Sequence, residues 1–149
     1  MALVICSQLE AVGIGVDLRA YEWGTFYGDI KRGRFETMTL KWTPVIEPHL
    51  MHWVFHSEMI PSEANNWVGG NRGGYSRPEL DTILDAAALE LDPSIRRQHY
   101  ARAQEILAED VPYVSLWHED TVAIVSQRLK NFELSPFGFL YPLADVSVE

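Results

Sequence analysis

The sequence predicts an α/β fold, and three observations carry that expectation. Its first third runs from a strand pattern through a helical pattern to a second strand pattern. Its middle holds two successive helices, each with its own start signal. Two short β-branched or aromatic runs then follow, split by a polar turn. Strand–helix–strand order implies a parallel pair joined by a right-handed crossover. The expected architecture is therefore a mixed sheet with flanking helices.

Each element follows from the residues in turn. Ala2, Ile5, Leu9 and Val12 recur on one helical face, and Gly13 supplies a stop. This start looks like the last turns of a helix in a trimmed chain. Ile14 to Arg19 alternates apolar and polar side chains, the pattern of a strand. Trp23, Phe26, Tyr27 and Ile30 fall at helical spacing, Lys31 and Arg32 suit the helix dipole, and Gly33 ends the run. Thr37 to Trp42 is a second strand, with Met38, Leu40 and Trp42 on one face. Thr43 to Pro48 is a loop, His49 to Ser57 a short helix, and Ile60 to Gly74 a long polar loop. Ser76 and Glu79 predict a capping box, with Pro78 in the first turn and Leu80, Ile83, Leu84, Ala87 and Leu91 as the buried stripe. Asp92 and Pro93 start the next helix, which buries Tyr100, Ala103, Ile106 and Leu107 and stops at Pro112. Tyr113 to Trp117 and Thr121 to Ser126 read as strands around the turn His118-Glu119-Asp120, and the chain is irregular beyond Leu129.

Bulk properties exclude several function classes. At 149 residues the chain is one domain able to bury a core. Its net charge of -9 argues against nucleic-acid binding, which needs a basic stripe. No apolar run approaches the roughly 18 residues of a membrane span, and the N-terminus lacks the basic region of a signal peptide. The single cysteine, Cys6, permits no intrachain disulfide and reads as a small buried hydrophobe.

Four groups of residues bear on chemistry. His49, His52 and His56 share one helical face, so a zinc or nickel site is conceivable. The ends of that row are about 10 Å apart at 1.5 Å per residue, too far to meet at one ion, which leaves His52 and His56 as a weak pair. The plainer reading is a partly exposed, histidine-bearing helix. Glu109, Asp110, Glu119 and Asp120 read as solvated acids of a helix end and a turn. The run Gly69-Gly70-Asn71-Arg72-Gly73-Gly74 lacks the Lys-Ser/Thr of a phosphate loop. Trp42 ends a strand, and the loop after it lies where ligands of open α/β sheets bind. Trp42 is thus either a cleft wall or plain core.

The segments QLEAVGIGVDLRAYEW, KW followed by EP, GGYSRPELDTILDAA and DPSIRRQHYARAQEILAEDVPYVSLWHED occur in one order over about Gln8 to Phe132. Together they resemble the peptide/nickel/oligopeptide class (family 5) of extracytoplasmic solute-binding proteins of bacterial ABC importers. The resemblance implies a type II periplasmic-binding-protein lobe, incomplete and C-terminal. Residues 1–129 would be part of that lobe, and 130–149 a tail that packs on a first lobe. It implies capture of an oligopeptide or similar solute, with Trp42, Thr43, Val45 and Ile46 as the cleft loop. It implies no catalytic residues, no metal and no cofactor. The parent would be periplasmic or on the cell surface, with an ABC transporter permease as partner, and an exposed lobe interface would permit a homodimer. The family often sets an acid in the loop after the tryptophan to hold a peptide's amino group. Here that position is apolar, and Glu47 matches the acid before the family's proline, where it would cap the next helix. The rival reading is a metal-binding enzyme or module on the His49/His52/His56 helix.

Overall fold

The computed structural model describes residues 2–42, 47–117, 120–135 and 137–149. Five helices dominate: α1 (Ala2–Ala11), α2 (Trp23–Lys31), α3 (Leu50–Phe55), α4 (Pro78–Leu89) and α5 (Pro93–Asp110). Two short strands, β1 (Leu129–Lys130) and β2 (Ser147–Val148), pair antiparallel.

The core is the α4–α5 hairpin. Leu80, Leu84 and Ala87 of α4 meet Tyr100, Ala103 and Ile106 of α5, all buried. Met51 and Phe55 of α3, with Tyr75, Ile83 and Leu107, pack around them. These are the apolar positions that helical spacing sets on one face. Asp92 caps α5 as expected: its carboxylate accepts from Ser94 N at 2.7 Å and Ile95 N at 3.1 Å. Asp110 at the far end holds Tyr75 Oη at 2.6 Å and Arg77 Nη1 at 2.5 Å, closing the hairpin onto the segment before α4.

The loop between α3 and α4 is drawn tight by Asn71, which is buried. Its side-chain Nδ2 donates to Tyr75 O at 2.6 Å, His56 O at 3.1 Å and Phe55 O at 3.3 Å. Its Oδ1 accepts from Tyr75 N at 3.0 Å, and its own backbone N donates to Met59 O at 3.1 Å. Two glycines permit that approach. A Cβ at Gly69, where φ is +149°, would lie 2.0 Å from Met59 O, and one at Gly70 would lie 2.3 Å from Trp53 Cδ1. The glycine run is therefore a packing device. Asp81 adds a second tie from α4, accepting from Ser57 N at 3.0 Å and Ser57 Oγ at 2.6 Å.

Several expectations are corrected. The Ser76/Glu79 capping box does not form, because α4 starts one residue later with Arg77 at the cap. Glu79 instead pairs with Arg77 at 3.2 Å and Arg102 at 2.9 Å. Leu91 lies beyond the end of α4 and is exposed rather than part of the stripe. The first helix matches, but Val12 is exposed and Cys6 only half-buried. The strands expected at Ile14 to Arg19, Thr37 to Trp42, Tyr113 to Trp117 and Thr121 to Ser126 are absent among the described residues, and with them the parallel pair. A strand exists only as a rung of a ladder. Only β1 and β2 are paired among the described residues, and side chains such as Ile124 and Val122 stay exposed. The tail beyond Leu129 is not wholly irregular: it turns through a 3-10 segment, Tyr141–Asp145, and pairs back on β1. The turn residues His118 and Glu119 lie outside the described residues.

Removing Asn71 leaves several buried backbone groups without partners, each costing about 1–3 kcal/mol. Asn71→Ala should therefore lower the urea unfolding free energy by roughly 3 kcal/mol or more. Asp92→Ala removes only an exposed cap and should cost about 1 kcal/mol. Equal losses for the two would show that the loop is not held through this amide.

Candidate functional site

Glu22 accepts from Gly24 N at 2.8 Å and Thr25 N at 3.2 Å, which starts α2 and presents Tyr27 on its inner side. Arg72 follows directly on the Asn71 tie and is only 8% exposed. Its guanidinium carbon sits 5.0 Å from the Tyr27 ring centre and 4.9 Å from that of Trp42. A cation between two aromatic faces gains on the order of 2 kcal/mol when desolvated. One nitrogen, Nη2, donates to Tyr27 Oη at 3.2 Å. Nε and Nη1 are buried without a partner, and so is the Tyr113 hydroxyl. Burial pushes the Tyr113 phenol up, and the charge of Arg72 pulls partly the other way.

Trp42 is half-buried, with its ring against the Arg72 guanidinium. Thr43, Val45 and Ile46, the other expected cleft residues, lie outside the described residues. Glu47 is committed elsewhere. It accepts from His49 N at 2.7 Å, at the start of α3, and pairs with Arg96 of α5. Burial raises its carboxyl, but Arg96 and the His49 N–H outweigh that and hold it below the usual carboxylate range. Each of its two oxygens thus already accepts a hydrogen bond within the fold.

The histidine row resolves differently from its sequence spacing. The His52 and His56 rings stack at 4.3 Å, and both Nε2 atoms lie 3.4 Å from Asp85 Oδ1 of α4. His49 stacks on His52 but turns toward Tyr100 Oη at 3.5 Å. The triad that the fold brings together is therefore His52, His56 and Asp85. Sequence spacing offered no sign of Asp85, which comes from another helix. His56 Nδ1 accepts from Glu58 N at 3.1 Å, so in the neutral ring Nε2 carries the hydrogen. That nitrogen then has no lone pair for a metal ion unless the Glu58 bond is given up. The acids Glu109 and Asp120 are exposed, as expected of solvated groups, and Asp110 serves the Tyr75 and Arg77 ties.

No family model matches the chain. Curated relatives do. The chain is 27% identical to a probable D,D-dipeptide-binding periplasmic protein, DdpA, of Escherichia coli K12, covering 91% of this chain and 26% of that protein. It is 24% identical to the oligopeptide-binding protein AppA of Bacillus subtilis 168, over 95% of this chain and 25% of that protein. The chain is thus similar in sequence to peptide-binding proteins of bacteria. Among solved structures, HbpA2 from Haemophilus parasuis superposes with a TM-score of 0.73 at 22% identity, covering 99% of this chain and 28% of that one. DppA from Helicobacter pylori, an ABC transporter-associated periplasmic binding protein in complex with the peptide STSA, gives 0.65 at 26% identity, covering 76% and 22%. The fold is thus a piece of a type II periplasmic binding protein. The chain spans about a quarter of the length of the curated relatives it matches. Among the described residues no helix is long and apolar enough to cross a membrane.

Two outcomes test this geometry. Burial, then the neighbouring His56 and His49, push the His52 imidazole below its ordinary 6.5, and Asp85 offsets this only in part. Between the folded value and 6.5 the unfolded chain holds more protons. The contribution of His52 is therefore complete above that window and is lost as pH falls through it. Unfolding free energy should drop between about pH 7.5 and pH 5.5, by less in His52→Gln, and an unchanged slope in that variant would remove His52 as the source. Zinc titrated calorimetrically should find no stoichiometric site. Tight one-to-one binding that disappears in a His52→Ala, His56→Ala double variant would overturn the tautomer argument.

Proposed function

We propose that this chain supplies part of the solute-contacting wall of an extracytoplasmic binding protein that delivers a peptide or similar small solute to an ABC permease. The observation that carries the reading is the placement of Trp42. Trp42 is half-buried beside Arg72, while α4 and α5 are core and scaffold. The DdpA and AppA relatives are named for dipeptide and oligopeptide binding, and the Helicobacter pylori neighbour holds a peptide. Trp42, Thr43, Val45 and Ile46 would line the cleft by stacking and by backbone hydrogen bonds, with closure between two lobes enclosing the solute.

The role is binding without catalysis. No group in the Arg72 sandwich is both nucleophilic and paired with a base, and the named relatives are binding proteins. Permease recognition, and self-pairing through the exposed apolar face, belong to the same proposal. The apolar position after Trp42 and the engaged Glu47 imply that this part of the wall does not grip an α-amino group.

The test is an NMR titration of the chain with a tripeptide such as tri-alanine. Weak, saturable shifts of the Trp42 indole are expected, with affinity near the millimolar range, because only part of an enclosing surface is present. Trp42→Ala should abolish them. Shifts that survive the substitution would remove Trp42 from the site, and micromolar affinity of the chain alone would contradict the clamp picture.

A further inference from the structure

Helix α5 buries one face and leaves the other open. Tyr100, Ala103 and Ile106 are buried, while Arg97, Ala101, Gln104, Glu105 and Ala108 are exposed. Those five, with Pro48 just before α3, line an open groove of about 710 Å³. Tyr100 closes its inner side, with the Arg96 guanidinium 5.2 Å from the ring centre.

The order of the lining residues is one that a second α5 matches. The helix runs from Pro93 to Asp110, so Ala101 stands at its middle. Arg97 lies four residues before Ala101 and Glu105 four residues after it. Each is therefore about 6 Å from Ala101 along the axis, at 1.5 Å per residue. A twofold axis at Ala101 sets a second copy of the helix antiparallel to the first. Arg97 then stands level with Glu105 of the second copy, and Glu105 with its Arg97. Gln98 and Gln104 meet in the same way. Every contact occurs twice, as an isologous interface requires. A parallel pair in register would instead set Arg97 against Arg97 and align the two helix dipoles side by side, which is unfavourable. Ala101 and Ala108 are short enough to let the axes approach to about 8 Å.

The charges at these positions are available. Among the described residues the Arg97 side chain makes no ion pair or hydrogen bond. Glu105 accepts from Arg102 Nη1 at 3.0 Å through Oε2, which leaves Oε1 open. The chain carries net charge -9, so two copies repel over most approaches. The open face of α5 brings opposite charges together at matched levels.

We propose that this face is a self-recognition surface, on which a second copy of the chain docks antiparallel through its own α5. The groove shares no residue with the Arg72, Tyr27 and Trp42 contacts, so the inference does not depend on the solute reading. One helix pair covers less than the roughly 1,600 Å² of a standard interface, so the pairing is weak and reversible.

Sedimentation velocity over a concentration series tests this. The unaltered chain should show a monomer–dimer equilibrium with Kd on the order of 100 μM. Arg97→Glu and Glu105→Arg each turn two attractions into two repulsions, and each should weaken pairing about tenfold. An equimolar mixture of the two variants should regain pairing, because each then carries one sign at both positions, opposite to the other's. Recovery in the mixture also shows that both variants fold. Ile124→Asp places a charge on the fully exposed apolar segment, and the α5 equilibrium should withstand it. A chain that stays monomeric to about 1 mM would overturn the proposal. So would a dimer that both charge variants leave intact, or one that only Ile124→Asp abolishes. A mixture that stays monomeric would remove the antiparallel register.

Discussion

One primary amide organises this molecule. Asn71 joins the end of α3 to the entry of α4 through Phe55 O, His56 O and both backbone groups of Tyr75. The amide donates two hydrogens and accepts at once, and its orientation is fixed because a flip would set oxygen against three carbonyls. The two N–H groups are shared among those three acceptors. Around this tie the long loop closes in space that two glycines leave open, against Met59 and Trp53. A buried loop of this kind persists because its backbone groups are paired internally rather than with water.

The consequence for function lies one residue further on. Because Asn71 is fixed, Arg72 has its direction set, and its guanidinium enters between Tyr27 of α2 and Trp42. The first part of the chain, which adds few buried residues beyond Ile30, is thereby linked to the α3–α5 core through a cation and two rings. Scaffold and site are consecutive residues: the amide satisfies itself within the fold, and the guanidinium is left with donors to spare. The same logic separates Arg72 from the histidine cluster, where His56 is already engaged by Glu58.

The helices were legible because they depend on nearby residues. The Asp92 cap, the Pro93 start and the stripes on α4 and α5 each act within a few positions. The capping box failed for an equally local reason, a one-residue shift of the start that put Arg77 at the cap and gave Glu79 to two arginines. Strands were misjudged because alternation reports how a segment would sit in a sheet, not whether a neighbour is present. The expected strand at Thr121 to Ser126 keeps its pattern, yet Ile124 is fully exposed. Trp42, expected as cleft wall or core, is half-buried beside Arg72. Arg72 stands in a glycine-rich run whose only legible motif was a failed phosphate loop, and no periodicity marks a cation that two aromatics from distant segments approach. Asp85 was missed for the same reason, since the histidine spacing on α3 says nothing about what α4 brings.

The most direct measurement is a crystal structure of the chain grown with tri-alanine. The account predicts the peptide backbone beside Trp42, with the Asn71 loop unchanged. A peptide seated along α4 and α5, or on the His52–His56–Asp85 cluster, with none beside Trp42, would contradict it.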